Sequence, residues 1–186
     1  TAVAKAYTYV IRPGDDCSPF ELPYLWACPY ELNVTSMQAV AAELVGTHDF
    51  TAFSAKSGLD RADSGVRTLF RLDVCHRPPY IFLNFVGNSF LYKMVRSLAG
   101  YLALRPGRAD EPPIAELHET FQTGRRPVWA QTAPPEGLFL AKVFFEDGAW
   151  ENYEPILPPF AWQMPGFERR PRDAWSGSST FCRETG

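Results

Sequence analysis

The stretch NSFLYKMVRSLAG, residues 88–100, does most to decide the fold. Residues 87–89 (GNS) are turn and capping types, so the pattern predicts a helix over residues 90–104. Its apolar positions recur at helical spacing and form one buried stripe, which consists of Leu91, Met94, Val95, Leu98 and Leu102. Lys93 and Arg96 lie one turn apart in this otherwise apolar helix.

Patterns on either side predict four strands and two further helices. The predicted strands cover residues 6–12, 68–75, 80–86 and 137–145. One predicted helix is capped by Thr35 or Ser36 and runs to Val45, and the other covers residues 113–123. The order β-α-β-β-α-α-β predicts an α+β fold, an antiparallel sheet with helices packed on one face, followed by an irregular C-terminal extension.

Residues 68–86 form a predicted hairpin in which alternation assigns one buried face to each strand. The first face holds Thr68, Phe70, Leu72 and Val74, and the second holds Ile81, Leu83 and Phe85.

The composition is that of a globular chain. Hydrophobic residues make up 46% and charged residues 21% of the 186 residues, which excludes a disordered chain, a coiled coil and a collagen-like fibre. The pattern predicts one domain over residues 1–150 and a Pro/Trp-rich extended tail over residues 151–186. Such a tail lacks the apolar periodicity to build its own core, so we expect it to lie on this domain or on a partner.

The cysteines and histidines show no metal-binding spacing. Cys17, Cys28, Cys75 and Cys182 form no Cys-x-x-Cys pair, so we expect buried or free thiols. The three histidines fall in unrelated segments, and no metal site is expected.

Residue 1 is Thr and leads directly into a strand, so we expect an N-terminal part to be missing; a cytoplasmic and a mitochondrial location both stay open.

Three segments become specific only in combination. They are residues 5–9 (KAYTY), residues 88–100, and residues 132–140 (TAPPEGLFL). Alone, Arg96 reads as a surface arginine, Tyr7 as a core or edge aromatic, and the third segment as a turn. Together, over residues 1–145, they resemble the TruA-type tRNA pseudouridine synthases, specifically the C-terminal half of the catalytic unit.

The resemblance implies an enzyme that isomerises uridine to pseudouridine in tRNA or rRNA, without cofactor or metal. The target nucleotide would be flipped out of the RNA into a pocket. Carried over to this chain, Tyr7 stacks on the base and is a candidate proton acceptor, Arg96 pairs with a catalytic aspartate, and Leu138 helps to wall the pocket. The resemblance also implies a homodimer.

Basic side chains near these segments are candidate RNA contacts, against the alternative of a solvated face. They are Lys5, Lys93, Arg125 and Arg126, with Arg105 and Arg108 as weaker members of the same group.

The catalytic aspartate of the family lies in an Arg-Thr-Asp-x-Gly-Val-His-Ala motif, which this chain does not contain. Residues 61–66 (RADSGV) look similar, but Asp63 falls where the family has a variable loop, which favours a coincidence. The aspartate is therefore expected in the missing N-terminal half. The alternatives are a non-catalytic RNA-binding assembly factor, for example of an organellar ribosome precursor docked through the tail, or a protein–protein module.

Overall fold

The computed structural model describes residues 1–55 and 64–155. In this part of the chain three α-helices accompany a six-stranded sheet. The strands are β1 (Ala4–Pro13), β2 (Trp26–Cys28), β3 (Gly46–Asp49), β4 (Val66–Arg77), β5 (Tyr80–Gly87) and β6 (Leu138–Phe144). The helices are α1 (Val34–Leu44), α2 (Met94–Leu104) and α3 (Ile114–Thr123).

The strand order is β2-β1-β5-β4-β3, and β6 also pairs with β1. Strand β5 pairs with one edge of β1, and both β6 and β2 pair with the other edge of β1. Along that edge, β6 lies against Ala4–Tyr9 and β2 lies against the residues that follow. All pairings are antiparallel except that of β1 with β2. The predicted α+β class is confirmed.

The main core lies between one face of the sheet and the helices. It joins Tyr9 of β1 and Phe85 of β5 to Leu44 of α1, Leu98 of α2 and Leu117 of α3. The opposite face carries smaller apolar clusters to which none of the three helices contributes, as the sequence predicted. The main core thus fixes α2, and with it Arg96, over β1.

Residues 146–155 return across the opposite face of the sheet. Trp150 stacks on Phe70 with ring centroids 4.4 Å apart, and Tyr153 meets Phe144 edge-on at 5.4 Å. The predicted boundary between residues 150 and 151 stays a prediction, because residues 156–186 lie outside the described part of the chain.

Two short strands were not predicted. Strands β2 and β3 lie in segments to which the pattern assigned neither a strand nor a helix. Both are too short to show an alternation, and each is formed by pairing with the adjacent strand along the chain, β2 with β1 and β3 with β4.

Two helix boundaries were also wrong. Helix α1 is capped by Asn33, whose side chain accepts from the Ser36 amide, and not by Thr35 or Ser36. Helix α2 begins at Met94 instead of residue 90, because Lys93 adopts a left-handed conformation with φ of 61°. Tyr92 just before it accepts a hydrogen bond from the Ala55 amide, which holds the preceding loop in place.

The predicted buried face of the first hairpin strand is wrong at Phe70. A register shift between Leu69 and Arg71 changes the alternation, so Leu69 and Leu72 face the helices while Phe70 faces the other side. The predicted face of the second strand, formed by Ile81, Leu83 and Phe85, is confirmed.

The thiols differ in state. Cys17 and Cys28 are free, and burial raises the pKa of both thiols. Cys75 is buried and disulfide-bonded, so the expectation of free thiols is wrong at this position. Across residues 1–55 and 64–155, no helix is both long and apolar enough to span a membrane.

Candidate active site

Tyr7 lies on the side of β1 that faces the helices. Side chains alternate along a strand, so Lys5, Tyr7 and Tyr9 share this side, and Tyr7 packs against the main core. Its ring meets Phe90 edge-on, with centroids 5.1 Å apart. Half-burial raises the pKa of the Tyr7 phenol, so the group is neutral at physiological pH.

Leu138 lies on the neighbouring strand β6, on the same face. Its cross-strand partner is Tyr9, while Tyr7 is paired with Leu140. Leu138 packs against the main core, whereas Leu140 is 56% exposed. Tyr7 and Leu138 are therefore diagonal neighbours on two paired strands, at a spacing that aromatic side chains can bridge.

Arg96 lies in the first turn of α2 and is tied to the turn before β6. Its Nε donates to the Ala133 carbonyl at 2.8 Å, and the Ala133 amide donates to the Arg96 carbonyl at 3.0 Å. Within residues 1–55 and 64–155, no carboxylate lies within ion-pair distance of Arg96. The guanidinium is thus positioned through Nε, and neither terminal amino group makes a hydrogen bond or ion pair to another residue of the described part of the chain.

Tyr9 connects the three predicted residues, and sequence reasoning missed it. Its ring is fully buried, and its hydroxyl donates to the Pro134 carbonyl at 2.7 Å. Burial raises the pKa of Tyr9 strongly, and the nearby positive charge of Arg96 opposes that rise. Tyr9 and Arg96 therefore bind the adjacent carbonyls of Pro134 and Ala133, and Tyr9 pairs with Leu138 and shares its strand face with Tyr7. Its position two residues after Tyr7 was the only sequence signal.

Replacing Tyr9 with phenylalanine is expected to destabilise the protein by about 1–2 kcal/mol, because the Pro134 carbonyl loses a buried donor. The turn before β6 is then anchored less tightly, which also disturbs Ala133 and Arg96. We therefore expect kcat for any reaction at this site to fall more than substrate affinity. Urea unfolding and steady-state kinetics measure the two effects. The matched control is Tyr24→Phe, at an exposed tyrosine; an equal effect at both positions would contradict a specific role for Tyr9.

The structure places the four predicted RNA contacts in different settings. Lys5 lies on the same face of β1 as Tyr7. Lys93 is exposed beside the Tyr92 ring at the start of α2. Arg125 is exposed, whereas Arg126 is half-buried and donates to the Ala130 carbonyl and the Thr132 hydroxyl. Burial lowers the pKa of Arg126. Contact of these side chains with RNA stays a prediction.

Asp63 and the RADSGV segment around it lie outside the described residues, except for residues 64–66. Among the residues described, no cluster of three His, Cys, Asp or Glu side chains has the geometry to hold a metal ion. Two cavities in the described part of the chain, of about 210 and 400 Å³, are lined by none of the three residues Tyr7, Arg96 and Leu138.

Comparison with known proteins identifies the class. A family model described as tRNA pseudouridine synthase matches residues 40–146, which include α2, Arg96 and Leu138. The chain belongs to the tRNA pseudouridine synthase family.

Curated relatives agree with the family model. The chain is 35% identical over 148 residues to tRNA pseudouridine synthase A 1 of Protochlamydia amoebophila, covering 79% of this chain and 57% of that protein. It is 34% identical over 148 residues to tRNA pseudouridine synthase A of a Geobacillus species, covering 79% and 58%. The Listeria innocua protein of the same name is 37% identical over 145 residues, covering 77% and 57%. The chain thus spans a little over half the length of these relatives.

Proposed function

We propose that this chain is the part of a tRNA pseudouridine synthase that supplies the arginine, tyrosine and leucine of the active site. The family match and the names of the relatives support this assignment. Because the chain spans little more than half of those relatives, we propose that the catalytic aspartate comes from a segment of the full-length protein outside this chain.

The observation that carries the proposal is the state of Arg96. Its Nε is fixed by Ala133, while its terminal amino groups have no carboxylate partner in the described residues. A guanidinium held in this way presents two parallel donors to an incoming carboxylate. The positive charge would lower the pKa of that carboxylate and keep it ionised, as a nucleophile requires.

The remaining side chains suit a flipped uridine. The base would stack on Tyr7, whose ring is steadied by Phe90, and Leu138 would close the pocket from β6. The isomerisation replaces the bond from ribose to the base nitrogen by one to a base carbon and relocates one proton. Burial favours the neutral phenol over the phenolate. We therefore assign Tyr7 to stacking and hydrogen bonding rather than to proton removal.

Pseudouridine mapping of tRNA and rRNA from cells with and without the protein tests the proposal. We expect at least one tRNA uridine to lose its modification and to regain it when the full-length wild-type protein is restored. The matched control is restoration with Tyr7→Leu, which removes the stacking ring and should not return the modification. Unchanged pseudouridine together with impaired ribonucleoprotein assembly would overturn the proposal and favour the non-catalytic assembly factor.

The remaining expectations follow from the resemblance and from the tail. A homodimer, association of residues 151–186 with a ribonucleoprotein, and a cytoplasmic or mitochondrial location stay predictions.

A further inference from the structure

An open cleft of about 400 Å³ lies beside the candidate active site. It is formed where β2, the segment after it, the C-terminal end of α2 and the turn before β6 meet. The side chains that matter on its walls are aromatic and basic, namely Trp26, Tyr30, Trp129, Arg105 and Arg108. The volume falls within the range of sites that hold small molecules in proteins.

Buried tyrosines hold the tryptophans of the cleft. Trp26 meets Tyr9 edge-on, with ring centroids 6.4 Å apart, and Trp129 packs on Tyr101 at 5.3 Å. Both tyrosines are fully buried, whereas both tryptophans stay partly accessible. The indole rings are thus anchored on one side and can offer a surface to a ligand on the other.

The arginines are only partly engaged. Arg108 lies over the Tyr30 ring, 4.0 Å from its centroid, and makes no ion pair or hydrogen bond through its side chain to the residues described. Arg105 donates from Nε to Glu116 at 3.0 Å. Among the described residues, the Arg108 guanidinium thus has no charged partner, and its donors suit a phosphate.

The cleft shares a wall with the candidate active site. Gln131 lines the cleft, and Ala133, two residues later, binds Arg96. Trp26 meets Tyr9 edge-on, and the Tyr9 hydroxyl donates to the Pro134 carbonyl, next to the Ala133 carbonyl that binds Arg96. A polynucleotide chain that presents one nucleotide to Arg96 would pass close to this cleft.

We propose that this cleft binds an unpaired RNA nucleotide outside the target uridine. The base stacks on the exposed aromatic surface, and a phosphate binds Arg108. Stacking on aromatic rings combined with arginine contacts to phosphates is how proteins bind single-stranded nucleic acid. The inference goes beyond catalysis, since it assigns a second RNA-binding site that takes part in no bond change.

Binding of a short oligoadenylate to the full-length protein tests the site, because this RNA contains no uridine and cannot be modified. Calorimetry over a range of salt concentrations should show that Arg108→Gln flattens the dependence of log K on log salt by about 0.7, the effect of one lost phosphate contact on a single strand. Trp129→Leu should weaken binding by about fivefold or more, since one of the two indole surfaces is lost. Lys142→Gln is the matched control, because it removes an exposed charge beside a ring, Phe144, on the opposite face of the sheet.

An unchanged salt slope and affinity in Arg108→Gln would overturn the proposal. Displacement of the oligonucleotide by inorganic phosphate at equal concentration would also overturn it, because the cleft would then be an anion site without base stacking. The readout is independent of the proposed function, since a protein that forms no pseudouridine can still bind oligoadenylate through this cleft.

Discussion

Replacing Arg96 with leucine in the full-length protein is expected to lower kcat for pseudouridine formation by about 100- to 1000-fold, the usual loss when one preorganised donor is removed from a reacting charge. Arg96 is held by Ala133 through Nε, and its terminal amino groups have no carboxylate partner among the described residues. Without it, the incoming carboxylate loses the charge that keeps it ionised and oriented. Affinity for tRNA should change by no more than about threefold, since a large interface shares its phosphate contacts among many groups.

Two further variants sharpen the test of Arg96. Arg96→Lys keeps the charge but cannot bind the Ala133 carbonyl and a carboxylate together in the same geometry, so we expect only partial recovery of kcat. Lys142→Leu, at an exposed basic side chain on the opposite face of the sheet, is the matched control and should leave kcat unchanged. Single-turnover kinetics measure the rate of pseudouridine formation, and filter binding measures the affinity for tRNA. Loss of tRNA affinity with unchanged kcat would make Arg96 a phosphate contact instead.

Replacing Gly100 with alanine is expected to destabilise the protein by about 3 kcal/mol, at the upper end of overpacking effects. The sign is informative, because helix propensity alone predicts a gain of about 1 kcal/mol for this change in the middle of α2. A Cβ at Gly100 would lie 2.0 Å from the Gln131 carbonyl oxygen and 3.1 Å from the Ala133 amide nitrogen. These are backbone atoms that cannot rotate away, so the turn that anchors Arg96 has to move.

Urea unfolding measures the effect of Gly100→Ala, and kcat should fall with stability because the displaced turn carries Ala133. Gly124→Ala is the matched control. Gly124 follows α3 with φ of 60° and has open space around it, so alanine there meets only the conformational cost of about 1–2 kcal/mol and should leave kcat unchanged. A Gly100→Ala protein that is more stable than wild type would contradict the close contact between α2 and this turn.

Local patterns were sufficient for the elements that carry their own signal. The apolar stripe around Leu98 correctly predicted a buried helix, and the alternation through Leu83 correctly predicted the buried face of β5. Both signals repeat over several residues, so an error of a few residues at either end of the helix or strand does not hide them. Residues 5–9, 88–100 and 132–140 taken together were also sufficient to indicate the family that the comparison then showed.

Features that depend on distant partners escaped prediction. The start of α2 is set by Lys93 and by a hydrogen bond from Ala55, and the face of Phe70 is set by a bulge opposite β5. No periodicity within either segment encodes these contacts. Tyr9 was missed for the same reason, since its importance arises from the Pro134 carbonyl, 125 residues away.

By itself, the sequence determined the α+β class, the helix that carries Arg96 and the family to which the chain belongs, because these follow from repeating local patterns and from a long motif. The tertiary structure decided what surrounds that motif. It brings Arg96 into hydrogen-bond contact with Ala133, and Tyr9 with Pro134. It also places Trp26 and Arg108 on the walls of one cleft. Such arrangements arise only when segments far apart in the chain pack together, and pairwise contacts of this kind leave no period in a single sequence.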